Sequence, residues 1–155
     1  MLVGVPKEIK VREYRVGLTP TSVRELVANG HEVLIETGAG TGIGMDDDAY
    51  VRAGGKIATS AEEVFGRAEL IVKVKEPQPV ERRMLRPNQV LFTYLHLAPD
   101  PAQTRDLMLS GATCIAYETV TSPQGSLPLL APMSEVAGRL AVQTGAYLLE
   151  KAHGG

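Results

Sequence analysis

Three side chains that could bind and protonate a small anionic molecule stand just beyond predicted strands. Arg15 lies in the loop after the first predicted strand, Lys75 closes a strand predicted at 70–75, and His96 follows one predicted at 90–95. Open α/β sheets bind ligands at the carboxyl ends of their strands. A guanidinium can grip a carboxylate through two hydrogen bonds, and an imidazole is the usual general acid or base near neutral pH.

Each of these residues also has an ordinary structural explanation. From spacing alone, a solvated loop arginine is the commoner explanation for Arg15, and a hydrogen-bonded core histidine is the commoner one for His96. Lys73 and Lys75 fall on the same face of one predicted strand. For Lys73 we expect an ion pair with a neighbour such as Glu76, and for Lys75 an ion pair and a pocket are equally open.

The elements that must position these residues alternate between short apolar runs and amphipathic segments. We predict strands at residues 2–5, 33–36, 56–58, 70–75, 90–95 and 113–117, and helices at residues 20–28, 46–52, 61–67, 80–85 and 101–109. Strands separated by helical crossovers favour parallel pairing, with the helices packed on the sheet. The sequence therefore predicts an α/β fold with a mainly parallel sheet and helices on both faces.

The longest predicted helix runs from 134 to 151 and has Ser134 as its N-cap. Along it Ala137, Ala141 and Gly145 recur every fourth residue, and such a stripe lets another backbone approach closely. We expect this helix to pack against another helix or another subunit, most simply in a symmetric homodimer. The proline-rich residues 119–132 before it are predicted to form a linker or a lid.

A glycine-rich segment at 37–44 looks suited to binding a phosphate but does not match a dinucleotide-binding loop. The fingerprint G-x-G-x-x-G fails in either register, because Ile43 and Met45 stand where it requires glycine. The following helix opens at Asp46 with three consecutive aspartates, which would repel a pyrophosphate. We interpret the segment as a structural loop.

Charge and composition exclude several classes of protein. The 155 residues carry 16 Lys+Arg against 18 Asp+Glu, for a formal net charge of −2. The longest basic run is Arg82–Arg83, so the chain has no electrostatic footprint for nucleic acid or anionic membrane. We therefore expect a small molecule or another protein as the partner.

Other patterns indicate the compartment and the kind of chemistry. No run approaches the roughly 18 apolar residues that cross a bilayer, and no signal-peptide pattern opens the chain. The single cysteine, Cys114, is predicted to be a buried strand thiol, which fits a reducing compartment. No cluster has metal-ligand spacing and no nucleophilic triad is supported. We expect a cytoplasmic protein without a bound metal.

Several segments spread over nearly the whole chain carry a family resemblance. They read GVPKEIK at 4–10, EYRVGLTP at 13–20, GAG at 38–40, KVKEP at 73–77, FTYLHLA at 92–98, AYETV at 116–120 and LLAPMSEVAGR at 129–139. Together they resemble the N-terminal part of the NAD-dependent L-alanine dehydrogenases. The opening motif is shared with nicotinamide nucleotide transhydrogenase α subunits and saccharopine dehydrogenases, whereas the histidine of YLHL and the PMSE segment point to the alanine dehydrogenases.

The resemblance implies a reaction and a set of residue roles. The family catalyses reversible oxidative deamination of L-alanine to pyruvate and ammonia, with hydride transfer to NAD. By resemblance, Arg15 binds the substrate carboxylate, Lys75 binds and polarises the carboxylate or carbonyl end of pyruvate, and His96 is the catalytic acid/base. Met133 corresponds to a substrate-side position at the domain junction, and Ser134 to a position that reaches the cofactor.

The resemblance also implies an arrangement of domains. Members of the family continue into a Rossmann domain that carries the G-x-G-x-x-G loop, and no such loop lies in residues 1–155. We expect residues 1–132 to be the substrate domain and residues 133–155 an interdomain helix, with the chain inactive by itself. NAD would then bind mainly outside these residues.

Two other functions are compatible with the same sequence. One is the equivalent domain of a transhydrogenase α subunit, in which hydride passes between nicotinamides. The other is a non-catalytic oligomerising module. His96 favours the dehydrogenase over the transhydrogenase, because hydride exchange needs no imidazole to handle the protons of an amine and a water molecule.

Overall fold

The computed structural model of the protein describes residues 1–155, which form two compact units, Met1–Ala116 and Tyr117–Gly155. The first unit contains the strands β1 (Leu2–Val5), β2 (Glu32–Glu36), β3 (Lys56–Ala58), β4 (Leu70–Val72), β5 (Val90–Thr93) and β6 (Thr113–Ala116). Its helices are α1 (Pro20–Ala28), α2 (Asp47–Arg52), α3 (Ala61–Arg67), α4 (Pro79–Arg82) and α5 (Pro101–Ser110). The strands form one sheet in the order β3-β2-β1-β4-β5-β6, and every pair is parallel. The predicted α/β fold with a parallel sheet is confirmed.

Helices cover both faces of this sheet because successive strand residues point to opposite faces. The buried cluster on one face joins strand residues to α1 and α2; its members include Val3, Val5, Val23, Val33, Ile35, Tyr50 and Val72. The cluster on the other face joins strand residues to α3 and α5; its members include Leu34, Val64, Phe65, Ile71, Leu91 and Leu107. The strands are therefore apolar at consecutive positions, as expected for a sheet that is buried on both sides.

Local capping signals determine where the first helices begin. Thr19 Oγ1 accepts a hydrogen bond from the Ser22 N–H, and Ser60 Oγ accepts one from the Glu63 N–H. Each bond satisfies a donor that the first turn of a helix leaves unpaired. The predicted starts of α1 and α3 are confirmed.

The glycine-rich segment at 37–44 packs closely against its surroundings. A Cβ atom on Gly40 would come within 2.6 Å of the Tyr50 ring, and one on Gly42 would come within 2.2 Å of the Tyr14 carbonyl oxygen. These approaches require glycine for steric reasons alone. They support the interpretation of the segment as a structural loop.

Two strands end two or three residues earlier than the sequence predicts. The strand predicted at 70–75 ends at Val72, because beyond it the Val74 N–H donates to the Glu8 carboxylate at 2.6 Å instead of to a strand. The strand predicted at 90–95 ends at Thr93, and the backbone turns at His96, where φ is 50°. Both segments that carry candidate residues are therefore loops.

The edge strand β6 is less buried than the sequence predicts. Cys114 lies on it and is half-buried, because β6 has a strand neighbour on one side only. Its partial burial raises the pKa of the thiol above its ordinary value. The predicted strand position of the thiol is confirmed, but its burial is only partial.

The second unit contains the longest helix, α6 (Ala131–Leu148). Ser134 lies inside this helix, and its N–H donates to the Leu130 carbonyl at 3.2 Å, so the prediction that it caps the helix is wrong. Pro132 is accommodated near the start because the first helical positions need no N–H donor. The helix ends before the predicted position 151, and Lys151–His153 forms a separate 3₁₀ turn. No helix of the chain is both long enough and apolar enough to span a bilayer.

Candidate active site

The order of the strands reverses between β1 and β4. The chain adds β2 and β3 on one side of β1, and then β4, β5 and β6 on the other side. The connections that leave β1 and β4 therefore diverge, and such a switch point is the usual ligand site of an open α/β sheet. A cavity of about 310 Å³ lies beside it, lined by the loop after β1 with Glu8, Glu13 and Arg15 and by the glycine-rich segment at 37–44.

Arg15 is half-buried in the loop after β1, where Glu13 holds its guanidinium. Its Nε and Nη2 donate to the Glu13 carboxylate at 2.8 and 2.6 Å, and its backbone N–H donates to the same carboxylate at 2.9 Å. These hydrogen bonds hold the pKa of Glu13 below its ordinary value. The guanidinium plane is therefore fixed at the wall of the cavity.

Lys75 is half-buried on the segment that follows β4. Its backbone is held on both sides: the N–H donates to Glu8 Oε1 at 3.4 Å, and the carbonyl accepts from Thr93 Oγ1 at 2.9 Å. After the hydrogen bonds from Arg15, the charge of Lys75 also lowers the pKa of Glu13. The Lys75 ammonium group is therefore close enough to the Arg15–Glu13 pair to interact with Glu13 electrostatically.

His96 is exposed at the end of the segment that follows β5, so the core histidine expected from spacing alone is wrong. Its ring stacks on Tyr94, with ring centroids 6.2 Å apart and an interplanar angle of 19°. Tyr94 in turn lies close enough to Arg15 to act on the guanidinium electrostatically. The φ of 50° at His96 is uncommon outside glycine, and such conformations cluster at functional sites.

The structure brings three of the five predicted site residues to one end of the sheet. Arg15, Lys75 and His96 follow the carboxyl ends of β1, β4 and β5, which are neighbours in the sheet. Met133 and Ser134 lie on α6 in the second unit. The functional roles of all five residues stay predictions.

A buried charge network that no local sequence motif indicates lies beneath the site. Lys73 is fully buried, and its Nζ donates to Glu81 at 2.7 Å and to Glu8 at 3.2 Å. The ion pair predicted for Lys73 is therefore present, but its partners are Glu8 and Glu81, whereas Glu76, the neighbour named as an example, pairs with Lys10. Burial raises the pKa of Glu8, because the loss of hydration outweighs the nearby charge of Lys73.

The fold and the site define the class of protein: an α/β domain with a doubly wound parallel sheet and cationic side chains at the carboxyl ends of its central strands. Within that class, the chain belongs to the alanine dehydrogenase/PNT N-terminal domain family, whose model matches residues 4–137. The family predicted from the sequence motifs is confirmed.

Individual relatives agree with this assignment. The chain is 56% identical to the alanine dehydrogenase of Halomonas elongata and 54% identical to that of Bacillus subtilis, over 155 residues in each case. All of this chain is covered in both comparisons, but only 42% and 40% of the two relatives, so the chain spans less than half of their length.

Solved structures from both branches of the family match this chain, but with different degrees of similarity. An L-alanine dehydrogenase matches with a TM-score of 0.92 and 56% identity, over 100% of this chain and 43% of that one. A transhydrogenase from Sinorhizobium meliloti matches with a TM-score of 0.72 and 28% identity, over 76% of this chain and 35% of that one. The chain is therefore more similar to the dehydrogenase in both sequence and fold.

Proposed function

We propose that the chain is the substrate-binding part of an NAD-dependent alanine dehydrogenase, which converts L-alanine and water reversibly to pyruvate and ammonium. The observation that carries the proposal is the convergence of Arg15, Lys75 and His96 at the carboxyl ends of three neighbouring strands. The high identity to proteins named alanine dehydrogenase supports it. The sequence identity to the transhydrogenase is only half as high, which argues against a transhydrogenase domain.

The chemistry of each side chain fits this reaction. Arg15 pairs its fixed guanidinium with the substrate carboxylate. Lys75 binds and polarises the carbonyl of pyruvate, which makes it more open to attack by ammonia in the reverse direction. His96 exchanges a proton with the attacking water or the departing amine.

NAD would supply the hydride acceptor for the Cα hydrogen of alanine. Of the residues in this chain, we propose that Ser134 contacts it. The glycine-rich segment at 37–44 is not a cradle for its pyrophosphate, because Gly40 and Gly42 are already packed against tyrosine residues. We therefore propose that most of the NAD site lies outside residues 1–155.

A pair of assays on the full-length gene product tests the reaction. We expect formation of NADH that depends on both L-alanine and NAD, and consumption of NADH that depends on both pyruvate and ammonium. Hydride transfer from NADPH to an NAD analogue without any amino acid would contradict the proposal and favour the transhydrogenase.

We also propose that α6 associates with a second copy of the chain. Its surface carries exposed apolar side chains, among them Val136, Leu140 and Tyr147, each more than half exposed at 55%, 52% and 54%. Val136, Leu140 and Tyr147 share one face of the helix by their spacing, and an apolar stripe of this kind marks an association site.

Sedimentation of the purified 155-residue chain tests this association. Leu140→Glu should convert an oligomer to a monomer, because it introduces a charge into the apolar stripe. Val142→Glu adds the same charge on the opposite face of the helix, at a position that is 75% exposed, and should leave the oligomer intact. A monomeric wild-type chain at micromolar concentration would contradict the proposal.

A further inference from the structure

We propose that Glu8 is a positioning residue for Lys75, whose backbone it fixes at the end of β4. The inference rests on the proposed function, in which Lys75 contacts the substrate. Glu8 itself lines the cavity beside Arg15, but both of its carboxylate oxygens are engaged with the protein.

The Glu8 carboxylate accepts hydrogen bonds from three consecutive residues of the segment that carries Lys75. Glu8 Oε1 accepts from the Val74 N–H at 2.6 Å and from the Lys75 N–H at 3.4 Å. Glu8 Oε2 accepts from Lys73 Nζ at 3.2 Å. The Thr93 hydroxyl holds the Lys75 carbonyl on the side of β5, and on the side of β1 the position of the segment depends on this one carboxylate.

The short pairing between β1 and β4 explains why a side chain, and not a strand, accepts these hydrogen bonds. The pairing between β1 and β4 runs only from Val3 with Leu70 to Gly4 with Ile71, so β1 offers no backbone acceptor to the residues after β4. Glu8 comes from the loop that continues β1, and its side chain supplies the acceptor in place of a strand. Without it, the Val74 N–H would be a buried donor without a partner, which is costly.

Glu8 is in turn held by charges that have no access to water. The side chains of Lys73, Glu8 and Glu81 are 0%, 2% and 2% exposed. Glu81 is anchored at the start of α4, where its second carboxylate oxygen accepts from the Gln78 N–H at 2.7 Å. The Lys73 ammonium therefore has a fixed place beside Glu8 Oε2, while Glu8 Oε1 is held separately by the backbone N–H groups of Val74 and Lys75.

Glu81 is a matched control for Glu8. Both carboxylates bind the same ammonium and both are equally buried. Only Glu8 also touches the backbone of Val74 and Lys75. A purely structural role for the ion pair would make variants of the two residues behave alike, whereas a positioning role separates them.

Two conservative variants of Glu8 in the full-length gene product distinguish its charge from its reach. Glu8→Asp keeps the charge for Lys73 but is one methylene too short to serve Lys73 and both N–H groups at once. Glu8→Gln loses the charge but keeps a carbonyl oxygen at the right distance. We expect Glu8→Asp to lower kcat/KM for pyruvate by about 10- to 100-fold, the effect of a misplacement of about 1 Å.

Glu8→Gln should lower the melting temperature but stay within about threefold of wild-type kcat/KM, a change of less than 1 kcal/mol. Glu81→Asp should behave in the same way, since it loosens Lys73 without touching the Lys75 backbone. Equal kinetic losses in Glu8→Asp and Glu81→Asp, or a Glu8→Gln variant that is slower than Glu8→Asp, would overturn the proposal.

A second readout does not depend on activity. In NMR spectra of lysine-labelled protein, the amide signal of Lys75 should shift in Glu8→Asp and stay near its wild-type position in Glu81→Asp. An unshifted Lys75 amide in a folded Glu8→Asp variant would overturn the positioning role. If the wild-type enzyme does not oxidise alanine, the proposed function fails, and the Lys75 amide still decides the role of Glu8.

Discussion

Replacing Arg15 with alanine in the full-length protein should raise the KM for both alanine and pyruvate by about 100-fold. Two charge-assisted hydrogen bonds to a carboxylate contribute roughly 3 kcal/mol together, and each 1.4 kcal/mol corresponds to a factor of ten in affinity. The guanidinium is already fixed by Glu13, with donor–acceptor distances of 2.8 and 2.6 Å, so it loses little freedom when substrate binds. Steady-state kinetics with each substrate varied in turn measure the effect.

The controls for this prediction separate the charge of Arg15 from its shape. Arg15→Lys keeps a positive charge but loses the planar fork, so it should recover only part of the lost affinity. Arg24→Ala removes an exposed arginine on α1 and should leave both KM values unchanged. Near-wild-type KM values in Arg15→Ala would show that the substrate carboxylate binds elsewhere.

The loss of Arg15 also leaves the Glu13 carboxylate without its partner. The side chain of Glu13 is only 7% exposed, so part of the effect of Arg15→Ala could arise from an uncompensated charge. The double variant Arg15→Ala/Glu13→Gln removes that charge. We expect it to regain stability against urea but not affinity, because the cation that binds substrate is still absent.

The sequence predicts the fold well because its strongest signals are local. The hydroxyl groups of Thr19 and Ser60 bond to residues three positions ahead, and such contacts are visible as short motifs. The apolar runs of the strands are equally local. The parallel order of the sheet then follows from the alternation of strands and helices.

The helix α6 shows where a local signal misleads. Ser134 has the right side chain for an N-cap, but a cap requires an extended backbone, and the Ser134 N–H is already bonded to the Leu130 carbonyl within a helical turn. The helix begins earlier because Pro132 can occupy its first turn. The prolines of residues 119–132 predict a loop. In the first turn of a helix, however, the missing N–H of Pro132 costs no hydrogen bond.

The charge network could not be predicted from the sequence for a different reason. Lys73 and Glu8 are 65 positions apart, and their contact exists only because β1 and β4 are neighbours in the sheet. The sequence places candidate residues at strand ends, but it does not say which side chains meet there. The same limit applies to His96, whose exposure depends on how the segment after β5 turns.

Replacing His96 should mainly reduce turnover, with kcat lowered by about 10²- to 10⁴-fold and KM changed little. Asparagine is the appropriate replacement, because it tolerates the positive φ of this position, whereas His96→Ala would add backbone strain to the chemical effect. The imidazole is exposed and stacked on Tyr94, so it can reach a substrate. His31→Asn, in the turn before β2, is the control and should have wild-type kinetics.

Added imidazole offers a sharper test of the same role. If the ring of His96 moves a proton, free imidazole should restore part of the activity of His96→Asn, and the restored rate should depend on the concentration of the neutral form. It should restore nothing in Arg15→Ala, where the missing group is a carboxylate partner rather than a proton carrier. A His96→Asn variant with kcat within about threefold of wild type would remove His96 from the chemistry, because general acid–base catalysis contributes much more than that factor.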